Sequence, residues 1–566
     1  MKHRILLPLL LLIAACTPKP RVLTILTTND QHGAWFDSVY VEEGTRPSIL
    51  AVNYYVDSIR KADGEKNVLL LDAGDCLQGD NAAYYYNYVD TTGEHLFSRI
   101  AAYMRYDAIC LGNHDIETGH KVYDRVTREL AAHGIPFMSG NALRNGTREP
   151  YFPLYKVFKR GGLKILVLGY TNPNIPAWLD ESLWSGMHFE SLIPLVQKDA
   201  DYLNEVFKPE VTIVCVHSGT GKGDGKQLEN QALDLFKSLR GVDLVVGAHD
   251  HRQLAMSSDS IALLNAGSRA KYLGVGKISV SPKGEKTIET SLIKVDKAKA
   301  DAVMREAFQK DYEAVKAFTL TEIGILTQDL YTREAYKGMC PYINLIHKVH
   351  LESSGAQISF AAPLSYNGRI SAGVLRYNDL FTIYPFENQL FTLSLTGKEI
   401  KDYLEYSYGL WLAPPGETHV LAIQKRGDPR YEQESWSFIN PSYNFDSAAG
   451  LVYTVDLNLP KGRRVNIKSL ADGTGFDLKE EYSVAMTSYR ASGGGGLLIK
   501  GAGISKQNLT ERVIGRHQDI RGCVRELIER NGAIDASLLS GSELGSWEFI
   551  NRQETLAADY ELLFSP

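Results

Sequence analysis

Along the first half of the chain, short apolar runs end abruptly in polar clusters, six times over. Residues 22–26 lead into Thr27-Thr28-Asn29-Asp30-Gln31-His32-Gly33, residues 68–71 into Asp72-Ala73-Gly74-Asp75, and residues 109–111 into Gly112-Asn113-His114-Asp115. Residues 213–216 lead into His217, and 244–246 into Gly247-Ala248-His249-Asp250-His251. The sixth run, 165–168, reaches only Gly169-Tyr170-Thr171-Asn172 and carries no evident ligand. Apolar runs of this length bounded by Gly and Asp read as buried strands. Helical stretches between them, such as 47–61 and 123–133, predict a layered α/β domain over 22–297. Open α/β sheets hold their ligands just beyond the carboxyl ends of the strands. Two Asp, one Asn and four His gathered there make a site for two divalent cations. Within it, Asp30 and His32, and again His249 and His251, stand two apart and in extended backbone face one side.

The pattern changes after residue 297. Lys, Asp, Glu and Ala alternate between 296 and 318 with apolar residues at helical spacing, which predicts an exposed helix. Residues 298–337 therefore read as a linking helix and connector. A second domain follows over 338–522, with strand-like runs at 358–361, 390–395, 451–457 and 482–487 and a helix at 397–406. The turn-rich stretch 412–443 reads as surface loop. Residues 523–566 read as a C-terminal extension that opens with a helix.

The chain has 566 residues, too many for one core, with 44% hydrophobic and 23% charged residues. A net charge of −6 without any long basic run argues against a nucleic-acid polymer as partner. Lys2, His3 and Arg4 precede the apolar stretch 5–15, which is too short to span a bilayer and has the form of a secretion signal. It closes on Ile13-Ala14-Ala15-Cys16, which resembles a bacterial lipobox. That reading makes residues 1–16 a lipoprotein signal peptide, with Cys16 as the lipidated residue. The expectation is an exported, monomeric lipoprotein of the bacterial cell envelope that meets the membrane through its anchor. Five further cysteines, an odd number without a Cys-x-x-Cys pair, do not form a disulfide framework.

The blocks TTNDQHG, LDAGD, GNHD, VHSG and GAHDH resemble, in order, those of calcineurin-like metallophosphatases of the 5′-nucleotidase group, and the likeness spans nearly the whole mature chain. It implies an N-terminal αββα metallophosphatase domain and a C-terminal α+β domain of 5′-nucleotidase type. It also implies that Asp30, His32 and His251 hold one metal, that Asn113, His217 and His249 hold the other, and that Asp75 bridges them. Zinc, manganese and cobalt all suit such nitrogen and oxygen donors. His114, beside a ligand but not one itself in the family, is implied as transition-state stabiliser and proton donor. The family usually reads Gly-Asn-His-Glu-Phe-Asp, with the final Asp partnering the His. Here Glu117 takes that place and Asp115 stands where Glu is usual, so both carboxylates are candidates to orient the imidazole.

The resemblance also implies nucleotide substrates, with the base held between two aromatic rings of the second domain. The candidates are Tyr443, in Ser-Tyr-Asn-Phe-Asp, and Tyr489, in Tyr-Arg-Ala-Ser-Gly-Gly. These motifs, and the segment 169–178 ending at Trp178, look more like the 2′,3′-cyclic-nucleotide phosphodiesterase/3′-nucleotidase branch than plain 5′-nucleotidases. The group's Asn-x-Gly-Gly-x-Arg element is replaced by Ser365-Tyr366-Asn367-Gly368-Arg369, which makes Asn367 and Arg369 the candidate phosphate contacts. Pro385-Phe386-Glu387-Asn388 matches a scaffold element of the cleft. Alternatives are a hydrolase of nucleotide sugars or sulfur esters, and a non-catalytic lipoprotein that captures nucleotides.

Overall fold

Strand Arg21–Thr28 runs through the middle of a six-stranded sheet. It pairs in parallel with Val68–Asp72, followed outward by Ala108–Cys110 and Phe137–Met138, and antiparallel with Tyr272–Val280 on its other side. In a second six-stranded sheet Val211–Val216 lies between Leu163–Tyr170 and Leu244–Val246, all parallel. Parallel sheets need apolar cover on both faces, and the alternation along each strand supplies it. Leu23, Ile25, Leu69 and Leu71 meet Ile165, Val167, Ile213 and Leu244 in the layer between the sheets. Leu26, Val68 and Leu70 face outward to helices Ile49–Asp63, Leu96–Met104 and His120–Ala132. Leu166, Val214 and Val245 face helices Leu192–Phe207 and Ala232–Ser238. The result is the expected αββα sandwich. This computed structural model describes residues 19–38, 40–41, 44–426 and 435–564, so the lipidation candidate Cys16 lies outside the described residues.

The helix expected to stand exposed after the first domain is instead part of it. Helices Ala302–Ala307 and Gln309–Thr319 send Met304, Phe308 and Val315 into the first core. Asp311 accepts a 2.5 Å bond from the Tyr86 hydroxyl and pairs with Arg99. The charge alternation showed the solvent face, while its few apolar positions were enough for a buried one.

The second domain centres on a five-stranded sheet in the order Ser447–Ala449, Ile358–Ala361, Glu481–Thr487, Gln389–Thr396, Val513–Asp519. Helix Gly397–Trp411 covers one face, started by a capping box in which Thr396 and Glu399 satisfy each other's backbone N–H. Helix Pro341–Ser354 covers the other, beside Ile520–Asn531. Two sequence expectations need correction here. The stretch 412–443 carries a hairpin, Ile423–Arg426 against Ser435–Phe438, with Val420, Leu421 and Phe438 buried. The residues after 522 are integral to the core: strand Gly545–Ile550 pairs in parallel with Leu451–Asp456, and Asp559 in the last helix accepts the backbone N–H groups of Val420 and Leu421. Cys76, Cys110, Cys215, Cys340 and Cys523 are all buried free thiols, and no described helix is long and apolar enough to cross a membrane.

The domains meet through the segment after the second strand. Asn81 bonds Asn378 at 2.9 Å, Tyr88 donates to Glu387 at 2.9 Å, and the buried Arg521 guanidinium stacks on Tyr84 and Phe381. These contacts hold the second domain over the carboxyl ends of the first domain's strands.

Trp547 tests the role of the final segment. Its ring packs against Tyr408, Trp411, Tyr453 and Phe549. Trp547→Ala should cost about 3–5 kcal/mol, seen as a lowered unfolding midpoint in denaturant. A loss under about 1 kcal/mol, as at exposed sites, would show a draped tail.

Candidate metal centre and cleft

Five of the seven expected ligands sit on left-handed backbone: Asp30 (φ 47°), His32 (φ 48°), Asp75 (φ 61°), His249 (φ 74°) and His251 (φ 57°). Non-glycine residues rarely adopt this region, and such strain clusters where surrounding contacts over-determine it. The contacts are visible. Asp72 accepts from Thr28 at 2.5 Å, Gln31 at 2.7 Å and the Gly74 backbone at 2.8 Å, bracing the first two loops together. Asn29 ties the first sheet to the second, donating to the Gly267 carbonyl at 2.6 Å and accepting from the Ala266 backbone at 3.0 Å.

The ligating atoms fall into two triads, Asp30–His32–His251 and Asp75–His217–His249, each within 4.8 Å. Strands of both sheets contribute. The donor set fits two cations on three observations. His217 Nδ1 lies 2.8 Å from the Ala73 carbonyl and His32 Nδ1 lies 3.0 Å from that of Gln78, so each ring donates there and turns its other nitrogen inward as a lone pair. The inward nitrogens of His32 and His251 approach to 3.0 Å, close enough for both to serve one cation. The buried Asn113 Oδ1 has no hydrogen-bond partner, and His217 Nε2 meets the Asp75 carboxylate at 3.1 Å. Burial disfavours charge on Asp75, but His217 and His114 hold its carboxyl well below the usual range. Burial likewise depresses His217, and Asp75 overrides it to lift that imidazole to about 9.

His114 lines the cleft, with Nδ1 2.5 Å from Glu117 Oε2. Burial alone would lower its pKa, but Asp75 and Glu117 outweigh it and lift it to about 10. Asp115 requires a correction. It does not touch the imidazole; its two oxygens accept the backbone N–H groups of Asp75, Cys76, Leu77 and Gly112 at 2.7–3.0 Å. All four acceptor sites are used, so Asp115 fastens the Asp75 loop to the Asn113 loop.

A cavity of about 470 Å³ joins this centre to the second domain. Tyr443, Tyr489, Phe386 and Asn388 line it, together with Asp75, Asn113, His114, His249 and His251. Asn367 and Arg369 do not line it. Arg369 is exposed and bonds Asp329 at 2.8 Å, and Asn367 is exposed on the same turn, so the shifted motif points these groups out of the cleft. Other side chains enter instead. Glu229 accepts from His249 Nε2 at 2.9 Å, and Trp178 stacks on the His249 ring at 5.3 Å. The strand without a ligand thus supplies this ring through the loop that follows it. Arg490 is buried against Asp446, with bonds of 2.8 and 3.0 Å, and also donates to the Tyr443 carbonyl. Only the neighbouring motif, Tyr489-Arg490, hinted at that brace.

Two triads at the joined carboxyl edges of an αββα sandwich define a metal-dependent phosphoesterase with a dinuclear site. Residues 23–253 match the calcineurin-like phosphoesterase family and residues 317–500 match the 5′-nucleotidase C-terminal domain. The chain belongs to the calcineurin-like metallophosphatases of the 5′-nucleotidase family. It is 24% identical to a 2′,3′-cyclic-nucleotide 2′-phosphodiesterase/3′-nucleotidase of Haemophilus influenzae over 83% of this chain and 80% of that protein. It is 23% identical to a trifunctional nucleotide phosphoesterase of Bacillus subtilis over 87% of this chain, spanning 38% of that longer protein. A Staphylococcus aureus structure solved with alpha-ketoglutarate shares the fold at TM-score 0.77 and 21% identity, covering 93% of this chain and 99% of that one.

The tightness of the two ligand loops can be tested at Gly112. A Cβ there would sit 2.0 Å from Asp75 Oδ1 and 2.5 Å from the Asp75 nitrogen. Gly112→Ala should lose bound metal by elemental analysis while the far-ultraviolet dichroism stays that of the parent.

Proposed function

We propose that the enzyme hydrolyses nucleotides, as 5′-monophosphates or as 2′,3′-cyclic and 3′-phosphates, to nucleoside and phosphate. One observation carries this reading: two tyrosines of the second domain line a single cavity with members of both metal-ligating triads, His251 of one and Asp75 and His249 of the other. Aromatic faces accept any base, contributing about 1–3 kcal/mol per stacked base. Tyr443 and Tyr489 supply those faces. The Tyr489 ring lies against a glycine turn, where a Cβ on Gly494 would come within 2.5 Å of it. The names of the Haemophilus and Bacillus relatives support nucleotides as the substrate class.

Zinc, manganese or cobalt would be held by Asp30, His32 and His251 and by Asn113, His217 and His249, with Asp75 between. Two such cations supply an activated water and neutralise charge on the transferred phosphoryl group. The chain's own residues do the rest. Glu117 accepts Nδ1–H of His114, and because the ring is held protonated, its pKa lifted to about 10, Nε2–H is also present to donate to the phosphoryl or leaving oxygen. For a cyclic substrate one water opens the P–O2′ bond to give the 3′-phosphate, and a second cleaves P–O3′ to release phosphate. Trp178 and the second domain wall keep bulk water from the reacting centre. The mature protein is an envelope lipoprotein anchored through Cys16, acting as a monomer on small nucleotides.

His114→Ala should lower kcat by about 10²–10⁴-fold with both metals retained by elemental analysis. Lost metal would instead make His114 a structural group. Tyr443→Ala and Tyr489→Ala should each raise KM for mononucleotides by about 5- to 150-fold, and an unchanged KM would sink the stacking clamp.

A further inference from the structure

The cavity's charges are spent before a substrate arrives. Among the described residues lining it, Arg490 is the one permanent cation, and all five of its N–H groups are engaged. Nε and one NH2 proton go to Asp446, the other NH2 proton to the Tyr443 carbonyl, and NH1 to Asn444 Oδ1 at 3.0 Å and the Gly494 carbonyl at 3.2 Å. Arg369, the arginine supplied by the altered motif, is turned outward to Asp329. His114 is committed to Glu117 on one nitrogen and faces the metal centre with the other. The remaining charged lining groups are acids: Asp75 at the metal centre, and Glu117, Glu229 and Asp446. The second-domain wall adds an apolar patch, Phe360, Ala361, Ala362, Leu364 and Phe386, beside the neutral polar groups of Asn388, Thr487, Tyr443 and Tyr489.

We propose that this cleft accepts substrates with one phosphoryl group and refuses those carrying a second, unreacted phosphate. Mononucleotides and cyclic mononucleotides are its substrate class; nucleoside diphosphates, triphosphates and nucleotide sugars are not. The inference rests on the nucleotide reading above and narrows it. The reacting phosphoryl group is served by the triads and His114. A second phosphate keeps at least one negative charge and would lie in the rest of the cavity, among carboxylates, hydrocarbon and neutral polar groups. Burying an unpaired charge there is costly, and among the described lining residues no further cation is free to offset it. Leu364, Ala362 and Phe386 thereby determine specificity by what they do not offer, while the aromatic pair remains indifferent to the base.

The experiment compares kcat/KM of the metal-loaded, full-length protein for AMP, 3′-AMP and 2′,3′-cyclic AMP with that for ADP, ATP and UDP-glucose. The diphosphate-containing compounds should fall at least about 100-fold below the best mononucleotide. Leu364→Arg, which places a guanidinium on the apolar wall, should raise the ADP-to-mononucleotide ratio by about 10-fold or more. ADP or UDP-glucose turned over within a few-fold of the best mononucleotide overturns the inference and leaves the nucleotide reading standing. Absence of turnover on every nucleotide, with metals bound, overturns both. Should Leu364→Arg fail to fold, Ala362→Lys probes the same wall, and the ratio in the parent protein decides the matter independently.

Discussion

Two carboxylates that must stay ionised at the bottom of a dry crevice, Asp30 and Asp75, set the terms for everything around them. Burial opposes charge on both, and Asp75 raises Asp30 further. They remain low because imidazoles surround them, His251, His217 and His32 about Asp30 and His217, His114 and His32 about Asp75. The pocket therefore demands positive charge, and either protons on histidine or divalent cations supply it. The two compete: a cation needs the neutral imidazole, so metal uptake expels protons. The backbone carbonyls at Ala73 and Gln78 fix His217 and His32 in the tautomer that favours the metal.

Holding seven donors at that density is a backbone problem before it is a side-chain one. Parallel strands end in register, with Thr28 beside Asp72 and Tyr170 beside Val216, so their loops start level. Left-handed turns at Asp30, Asp75 and His249 then reverse the chain within one or two residues and aim each side chain back over the sheets. Such turns persist only where hydrogen bonds pin them. Asp72 and Asn29 pin the first loop, and Asp115 pins the second and third to each other. Asp115 is thus as indispensable as a ligand without touching a metal, a substrate or His114.

Much of this was legible in the sequence because strand ends announce themselves. Apolar runs broken by Asp, Asn or His marked out the six residues of the two triads, with Asn113 beside them, and the family's motif put Glu117 in the place of the partner of His114. What the sequence hid depended on distance along the chain or on direction. The roles of Glu229 and Trp178 come from two loops that meet at His249. Arg369 and Asn367 were placed by a motif that departs from the family's pattern, and here both side chains are exposed, Arg369 on Asp329. Asp115 looked equivalent to Glu117 as a carboxylate, and only its position beneath the loop distinguishes them. The amphipathic helix after residue 301 and the strand at Gly545–Ile550 failed to read as core for a common reason. Each contributes few apolar side chains, and their burial depends on partners far away along the chain.

The second domain's arginine shows how labour is divided between the halves. A planar guanidinium in a nucleotide cleft invites assignment to phosphate, yet Arg490 is buried and saturated by Asp446, Asn444 and two carbonyls. Leaving it unpaired would cost far more than most surface changes, so the group acts as a strut. It fixes the Tyr443 backbone from a residue adjacent to Tyr489, and so sets the separation of the two rings. Charge recognition is left to the first domain, where the ligand field is strongest, and shape recognition to the second, where aromatic area is rigid. On the proposed reading, an enzyme so arranged discriminates at the phosphate by electrostatics and at the base hardly at all, because among the described residues the second-domain half of its cleft has no free cation to spare.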